Sequence, residues 1–237
     1  MKNKRIVGAL LLLLIFSTNR VYAMKEFAAT TFSDLSIETD YFEGIDWAVE
    51  NGVTMGYGDR TWRPNSCVTR AEIVKMAFEA VPGEEIDFKK SYVSPFKDVK
   101  YSDWYYHYAN RAKELGYVDG YADGSFKGGE CLNRAEALKI TVKMMINNPS
   151  LDNSNGTIFC GDNKVKDLDG NSWYAPYARL LVANELVGLN HTGLYSDKKN
   201  KIKKSKVDIT YLPADSMSRG EVVEMLYLLK NSDKYNK

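Results

Sequence analysis

The chain has 237 residues, with 32 Lys+Arg against 31 Asp+Glu and a formal net charge of +1. The four charges in the first 23 residues are all basic, so the remainder holds 28 basic and 31 acidic residues, a net of −3 that argues against nucleic acid as a partner, because such a partner demands a basic surface. Aromatics at 12 % and hydrophobics at 44 % exclude a disordered chain and suffice for a core, in one domain or in a few small ones.

Residues 1–23 read as a secretory signal peptide. Lys2, Lys4 and Arg5 form a positive start, Ile6 to Phe16 an apolar run of 11 residues, and Val21-Tyr22-Ala23 a cleavage site. The run is too short to span roughly 30 Å of hydrocarbon as a helix, which sets cleavage ahead of an uncleaved anchor. No Cys follows the cleavage point to carry a lipid, and no later stretch is apolar enough for a transmembrane segment. The expected mature chain is secreted and soluble, and stays at the cell wall only through what it binds.

Past the signal, the chain repeats itself at an offset of 64 residues. Phe32 and Asp34 recur as Phe96 and Asp98, Gly56-Tyr57-Gly58-Asp59 as Gly120-Tyr121-Ala122-Asp123, Cys67 as Cys131, and Arg70 and Glu72 as Arg134 and Glu136. A worn third copy follows. Asp167, Trp173, Tyr174 and Tyr177 match Asp98, Trp104, Tyr105 and Tyr108 at an offset of 69, whereas Arg219 matches Arg134 at 85. The 16-residue difference is a polar, lysine-rich insertion from about Asn190 to Pro213. It reads as a solvated loop, with contact to an anionic polymer as the alternative. The expected segments are repeats at 30–82, 94–147 and 165–230, with a linker at 148–164.

Each copy opens on F-x-D or its relative: Phe32-Ser33-Asp34, Phe96-Lys97-Asp98, Val165-Lys166-Asp167. An amphipathic helix follows, with apolar residues at spacings of three and four, and Gly52 or Gly116 ends it. A Gly/Asp-rich loop comes next, "GYGDRTWRP" or "GYADGSFKG", whose trailing aromatic can seal it onto the core. A second helix then opens on a capping box, Thr69-Arg70-Ala71-Glu72 in the first copy. Asn133-Arg134-Ala135-Glu136 and Ser218-Arg219-Gly220-Glu221 keep the same logic. The predicted fold is all-α, built from three tandem helix-loop-helix repeats.

Capping does not require the arginines. Arg70, Arg134 and Arg219 stand at helix N-termini, where the dipole and free N–H groups favour anions and a guanidinium can grip a carboxylate through two parallel hydrogen bonds. The alternative is an Arg paired to a local carboxylate such as the F-x-D Asp, and the two are compatible if the Asp orients the Arg. Of the three cysteines, Cys131 and Cys160 are closest in sequence and form the expected disulfide, leaving Cys67 free. No metal site is expected, because CxxC and HxxxH spacings are missing and His107 and His191 lie apart.

"GYGDRTWRPNSCVTRAE" and "GYADGSFKGGECLNRAE" resemble the S-layer homology (SLH) domain, whose glycine-rich GY-x-DG-x-F loop precedes a TRAE motif and which usually occurs three times in tandem. The resemblance covers about Phe32 to Leu229. It implies a pseudo-threefold helical bundle whose inter-repeat grooves bind secondary cell-wall polysaccharide, in many members one bearing a pyruvate ketal and hence a carboxylate. Carried over residue by residue, the ligand-binding arginines are Arg70, Arg134 and Arg219. Gly56 and Gly120 would let the sugar approach, Tyr57 and Tyr121 would line the groove or pack on the core, and Asp34, Asp98 and Asp167 would partner the arginines. The third copy departs at Glu185-Leu186-Val187-Gly188-Leu189, Arg60 replaces the second loop glycine of the first copy, and Gly128 replaces the proline of the second.

The implied function is non-catalytic anchoring at the cell surface, with cell-wall polysaccharide and an S-layer or envelope protein as partners and no cofactor. A glycan-acting enzyme needs paired carboxylates in a cleft, and the repeating acids here already have structural roles. A lattice or assembly component without polysaccharide binding is a further alternative. Asp167-Leu168-Asp169-Gly170-Asn171 suggests a calcium loop, but Ser172 and Ala178 stand where an EF-hand needs Gly and Glu.

Overall fold

A computed structural model describes residue 28 and residues 31–81, 85–146, 149–182, 184–187, 190–191 and 209–232. The signal peptide and most of the lysine-rich insertion lie outside the described residues. Among the described residues, six helices form three helix-loop-helix units: α1 (Phe42–Glu50) and α2 (Arg70–Ala80), α3 (Tyr106–Glu114) and α4 (Arg134–Met145), α5 (Ala175–Val182) and α6 (Arg219–Lys230).

The units close into a ring. The second helices, α2, α4 and α6, pack against one another at the centre. Each first helix lies on the second helix of the unit before it: α3 on α2, α5 on α4, and α1 on α6. The last contact joins the start of the bundle to its end, and Gly44 marks how close it is, because a Cβ there would stand 2.8 Å from the Glu224 backbone. Just ahead of the second helices three backbone segments meet. Val68 N donates to Met217 O (2.9 Å), Leu132 N to Val68 O (3.0 Å) and Met217 N to Leu132 O (3.0 Å), and all three side chains are buried. The three segments therefore close a cycle of backbone hydrogen bonds, a geometry that satisfies buried N–H and C=O groups without a sheet.

Sequence explains the local structure well. All three capping boxes are complete: Thr69, Asn133 and Ser218 accept from the N–H of Glu72, Glu136 and Glu221, whose carboxylates reach back to the cap N–H groups. The loop aromatics Trp62 and Phe126 are wholly buried, as is Tyr211 at the matching place in the third unit.

Short strands join the helices, and the disulfide differs from the expected one. Between the second and third units, β1 (Phe159–Cys160) pairs antiparallel with β2 (Asn163–Lys164), and Ile158 and Cys160 are buried. A second short pair, β3 (Asn190–His191) with β4 (Ile209–Thr210), carries the insertion between its strands. The disulfide is Cys67–Cys131, with Cα atoms 5.7 Å apart, and Cys160 is the free, buried thiol. The central ring decides this, because Cys67 bridges to Ser218 and Cys131 to Thr69, which brings the two equivalent cysteines together. Nearness in sequence was the wrong guide. Burial, and then Glu185, push the Cys160 thiol pKa up.

Candidate functional site

The F-x-D aspartates do not partner the arginines. Asp34 accepts from the N–H groups of Trp62 and Arg63 (both 2.8 Å), Asp98 from Phe126 and Lys127 (2.7 and 2.8 Å), and Asp167 from Tyr211 and Leu212 (2.8 and 2.6 Å). The second residue of each pair is left-handed, with φ of 61° at Arg63, 58° at Lys127 and 56° at Leu212. A side chain there is strained, and two charge-assisted hydrogen bonds accepted by one carboxylate offset the strain. The aspartate is a clamp that fixes the turn and aims the buried aromatic.

Each arginine reaches instead across a unit boundary to the capping-box glutamate of the next unit. Arg219 Nη1 donates to Glu72 Oε1 (2.8 Å), Arg134 Nη1 contacts Glu221 Oε1, and Arg70 Nη1 stands 3.9 Å from Glu136 Oε1. One glutamate oxygen caps its own helix and the other faces the neighbour's arginine. The helix N–H groups are also consumed. Arg70 N donates to Glu130 O, Arg134 N to Asp215 O and Arg219 N to Ser66 O, at 3.0, 2.9 and 2.9 Å. The helix termini therefore hold the ring together rather than waiting for an anion, and any anion recognition falls to the guanidinium groups themselves.

The three arginines differ in how well the protein satisfies them. Arg219 is buried and has a partner at each of its three nitrogens: Nε donates to Trp62 O (3.2 Å), Nη1 to Glu72, and Nη2 to Thr54 Oγ1 (3.1 Å). Arg134 lies against Glu221 and over the Tyr211 ring. Arg70 is 7 % exposed, its side chain's one hydrogen bond among the described residues is 3.5 Å long, to Tyr121 OH, and its buried Nε has no partner. Just as Tyr57 OH donates to Glu72 Oε1 at 3.3 Å, Tyr121 OH donates to Glu136 Oε1 at 2.8 Å. Burial, and then that hydrogen bond, push the Tyr121 pKa up to about 12, so the phenol keeps its proton at neutral pH.

Beside Arg70 the surface opens into a cavity of about 190 Å³ between the first two units. Tyr121, Glu136, Asp119 and Lys139 of the second unit line it, and Trp173 of the third closes one side. Trp173 is 56 % exposed, and Lys139 Nζ sits 6.0 Å from its ring centroid and 2.9 Å from Asp119. The hydrogen bond from Lys139 holds the Asp119 carboxyl below the usual range. The space is smaller than a drug-sized site and suits one sugar residue rather than an oligosaccharide.

The glycines have an internal reason. Gly56 and Gly120 are left-handed (φ 66° and 81°), and a Cβ would stand 2.3 Å from Phe32 Cε1 or 2.6 Å from Phe96 Cε1. They lie over the F-x-D phenylalanines, so closeness to a sugar is not what demands them, although Gly120 lines the cavity. Tyr57 OH donates to Glu72 Oε1 at 3.3 Å. Sequence reading missed Lys139 and Trp173. The recurrence of Trp104 as Trp173, exposed in both units, was a usable signal. Among the described residues no His/Cys/Asp/Glu cluster is placed for a metal ion, and no helix is long and apolar enough to cross a membrane.

Residues 31–74 and 95–138 match the family model of the S-layer homology domain. The chain is 30 % identical over 167 residues to a cell surface protein of Thermoanaerobacter kivui, covering 70 % of this chain and 19 % of that protein. It is 24 % identical over 123 residues to a cellulosome-anchoring protein of Acetivibrio thermocellus (52 % and 27 % covered). An amylopullulanase of Thermoanaerobacterium thermosulfurigenes is 25 % identical over 192 residues (79 % and 9 % covered). The chain thus spans under a third of the length of the curated relatives it matches. The third unit lies outside the matched segments and joins the first two through its equivalent Asp clamp, capping box and arginine. Residues 31–74 and 95–138 of this chain thus match the S-layer homology domain twice in tandem, and the proteins it is similar to include cell-surface and anchoring proteins.

Proposed function

We propose that the chain is a non-catalytic cell-envelope anchoring module that holds an anionic, pyruvate-bearing wall polysaccharide noncovalently in its inter-unit grooves. Arg70 carries this reading: a buried guanidinium with an unpartnered Nε at the wall of a sugar-sized cavity. Leaving a buried donor unsatisfied costs about 1–3 kcal/mol, and a ligand carboxylate would recover that energy. Trp173 offers an aromatic face for a pyranose ring, and Lys139 a second cation. A glycan-acting enzyme would need two carboxylates flanking a bond, whereas Glu136 is committed to its helix cap and Asp119 to lysines.

The test is co-sedimentation of purified protein with polymer-bearing cell walls. Wild type should pellet with intact walls and remain in the supernatant with walls stripped of pyruvate ketal. Arg70→Ala, folded by circular dichroism, should stay in the supernatant with both. Equal pelleting on both wall preparations would sink the carboxylate reading.

A further inference from the structure

We propose that Asn155 is a site of spontaneous covalent modification, at which the side-chain amide is lost and a carboxylate takes its place. The reaction begins when the backbone nitrogen of the next residue attacks the Asn Cγ, so it needs a small following residue and an N–H free of hydrogen bonds. Among the described residues, Asn is followed by Gly or Ser at six positions. At five of them the N–H that would attack is already engaged. Gly52 N donates to Val49 O (3.2 Å), Ser66 N to Arg63 O (3.2 Å), Ser154 N to Asp152 Oδ1 (2.9 Å), Ser172 N to Asp169 O (3.1 Å) and Ser232 N to Leu229 O (3.2 Å). Asn51 is held twice, since its Nδ2 donates to Trp47 O at 2.8 Å. Gly156 N alone has no partner among the described residues, nor has the Asn155 side chain, and both residues are exposed.

The surroundings favour the step. Arg179 grips the chain on both sides of Asn155: Nη1 donates to Asp152 O (3.3 Å) and Nη2 to Gly156 O (3.1 Å). The exposed residues 153–155 therefore arch between two pinned carbonyls. The guanidinium also brings a positive charge close to the Gly156 amide, and a near cation favours the nitrogen anion that must form. Once the Gly156 N–H proton has gone to solvent, the nitrogen bonds to Asn155 Cγ, the Cγ–Nδ2 bond breaks, and ammonia leaves. Water then opens the five-membered imide at either carbonyl, giving aspartate or isoaspartate. The sum converts one amide and one water into one carboxylate and one ammonium, with no oxidant or reductant. Each molecule reacts once, so the charged fraction rises with the age of the folded protein.

The experiment is peptide mapping by mass spectrometry after prolonged incubation of the purified protein in mildly alkaline buffer, folded and in urea. In the folded protein the peptide holding Asn155 should gain one mass unit and split into aspartate and isoaspartate forms. The peptide holding Asn51, the other Asn-Gly pair, should gain it about 30-fold more slowly, because two hydrogen bonds must open first. In urea the two should gain it at like rates. Asn155→Gln, whose longer side chain cannot close a five-membered ring on Gly156, should leave the first peptide unchanged. Equal rates at the two sites in the folded protein, no gain at Asn155 over a period in which the unfolded chain gains it, or a gain that persists in Asn155→Gln overturns the proposal.

Discussion

The side chain that organises each unit is an aspartate that sequence reading assigned to the wrong partner. Asp98 lies 28 and 29 residues from the N–H groups it holds, and it fixes both the left-handed Lys127 and the buried Phe126. Asp98→Ala removes both charge-assisted bonds and leaves two amides without their acceptor, so a loss of about 3 kcal/mol is expected, read as a drop in urea midpoint at unchanged slope. If the aspartate served only a ligand, the midpoint would not move. The recurrence of F-x-D three times made the residue visible in the sequence. Its partner was not visible, because a backbone N–H has no letter of its own. The same limit hid the fate of the arginines: their spacing to the capping glutamate is two residues within a motif, yet the contact runs between Arg219 and Glu72, 147 positions apart.

Among the elements, the capping boxes and second helices were legible because their determinants are local. The glycine-rich loops were legible as turns, and their internal bracing follows one rule. Thr61 and Ser125 donate both hydroxyl and N–H to Asp59 and Asp123, at 2.6 and 3.1 Å in the first loop and 2.6 and 3.0 Å in the second. The hydroxyl bonds, above all, lower both carboxyl pKa values to about 2 from an ordinary 3.8. Because the folded value is the lower, this contribution is present above about pH 4 and is lost as pH falls toward 2. Thr61→Val combined with Ser125→Ala should therefore flatten the acid limb of a stability-versus-pH curve below pH 4 while leaving its shape near neutrality unchanged. An unaltered acid limb would show that the bracing is absent in solution. The third unit has no such loop in its sequence, and the β3–β4 pair there escaped notice because two-residue strands carry no periodic signal.

At the level of the whole molecule, the ring joins distant segments through contacts that no local pattern announces, above all α1 on α6. The Cys67–Cys131 bridge closes 64 residues of chain across the first unit boundary. Its loss, in Cys67→Ser with Cys131→Ser, should cost about 4 kcal/mol by the chain-entropy account, seen as a lower denaturation midpoint. Titration of the unfolded, unreduced protein should find one free thiol, that of Cys160; three would show the bridge to be missing. The same covalent link spans the two units that supply Arg70 and most of the cavity wall, while the third unit is joined to them without a disulfide. Were the protein pulled while attached to a wall, the third unit would shear off first and take Trp173 with it, while the Arg70 and Lys139 walls of the cleft would stay stapled. Grip would then outlast partial unravelling, and it would fail early only where the surroundings are reducing.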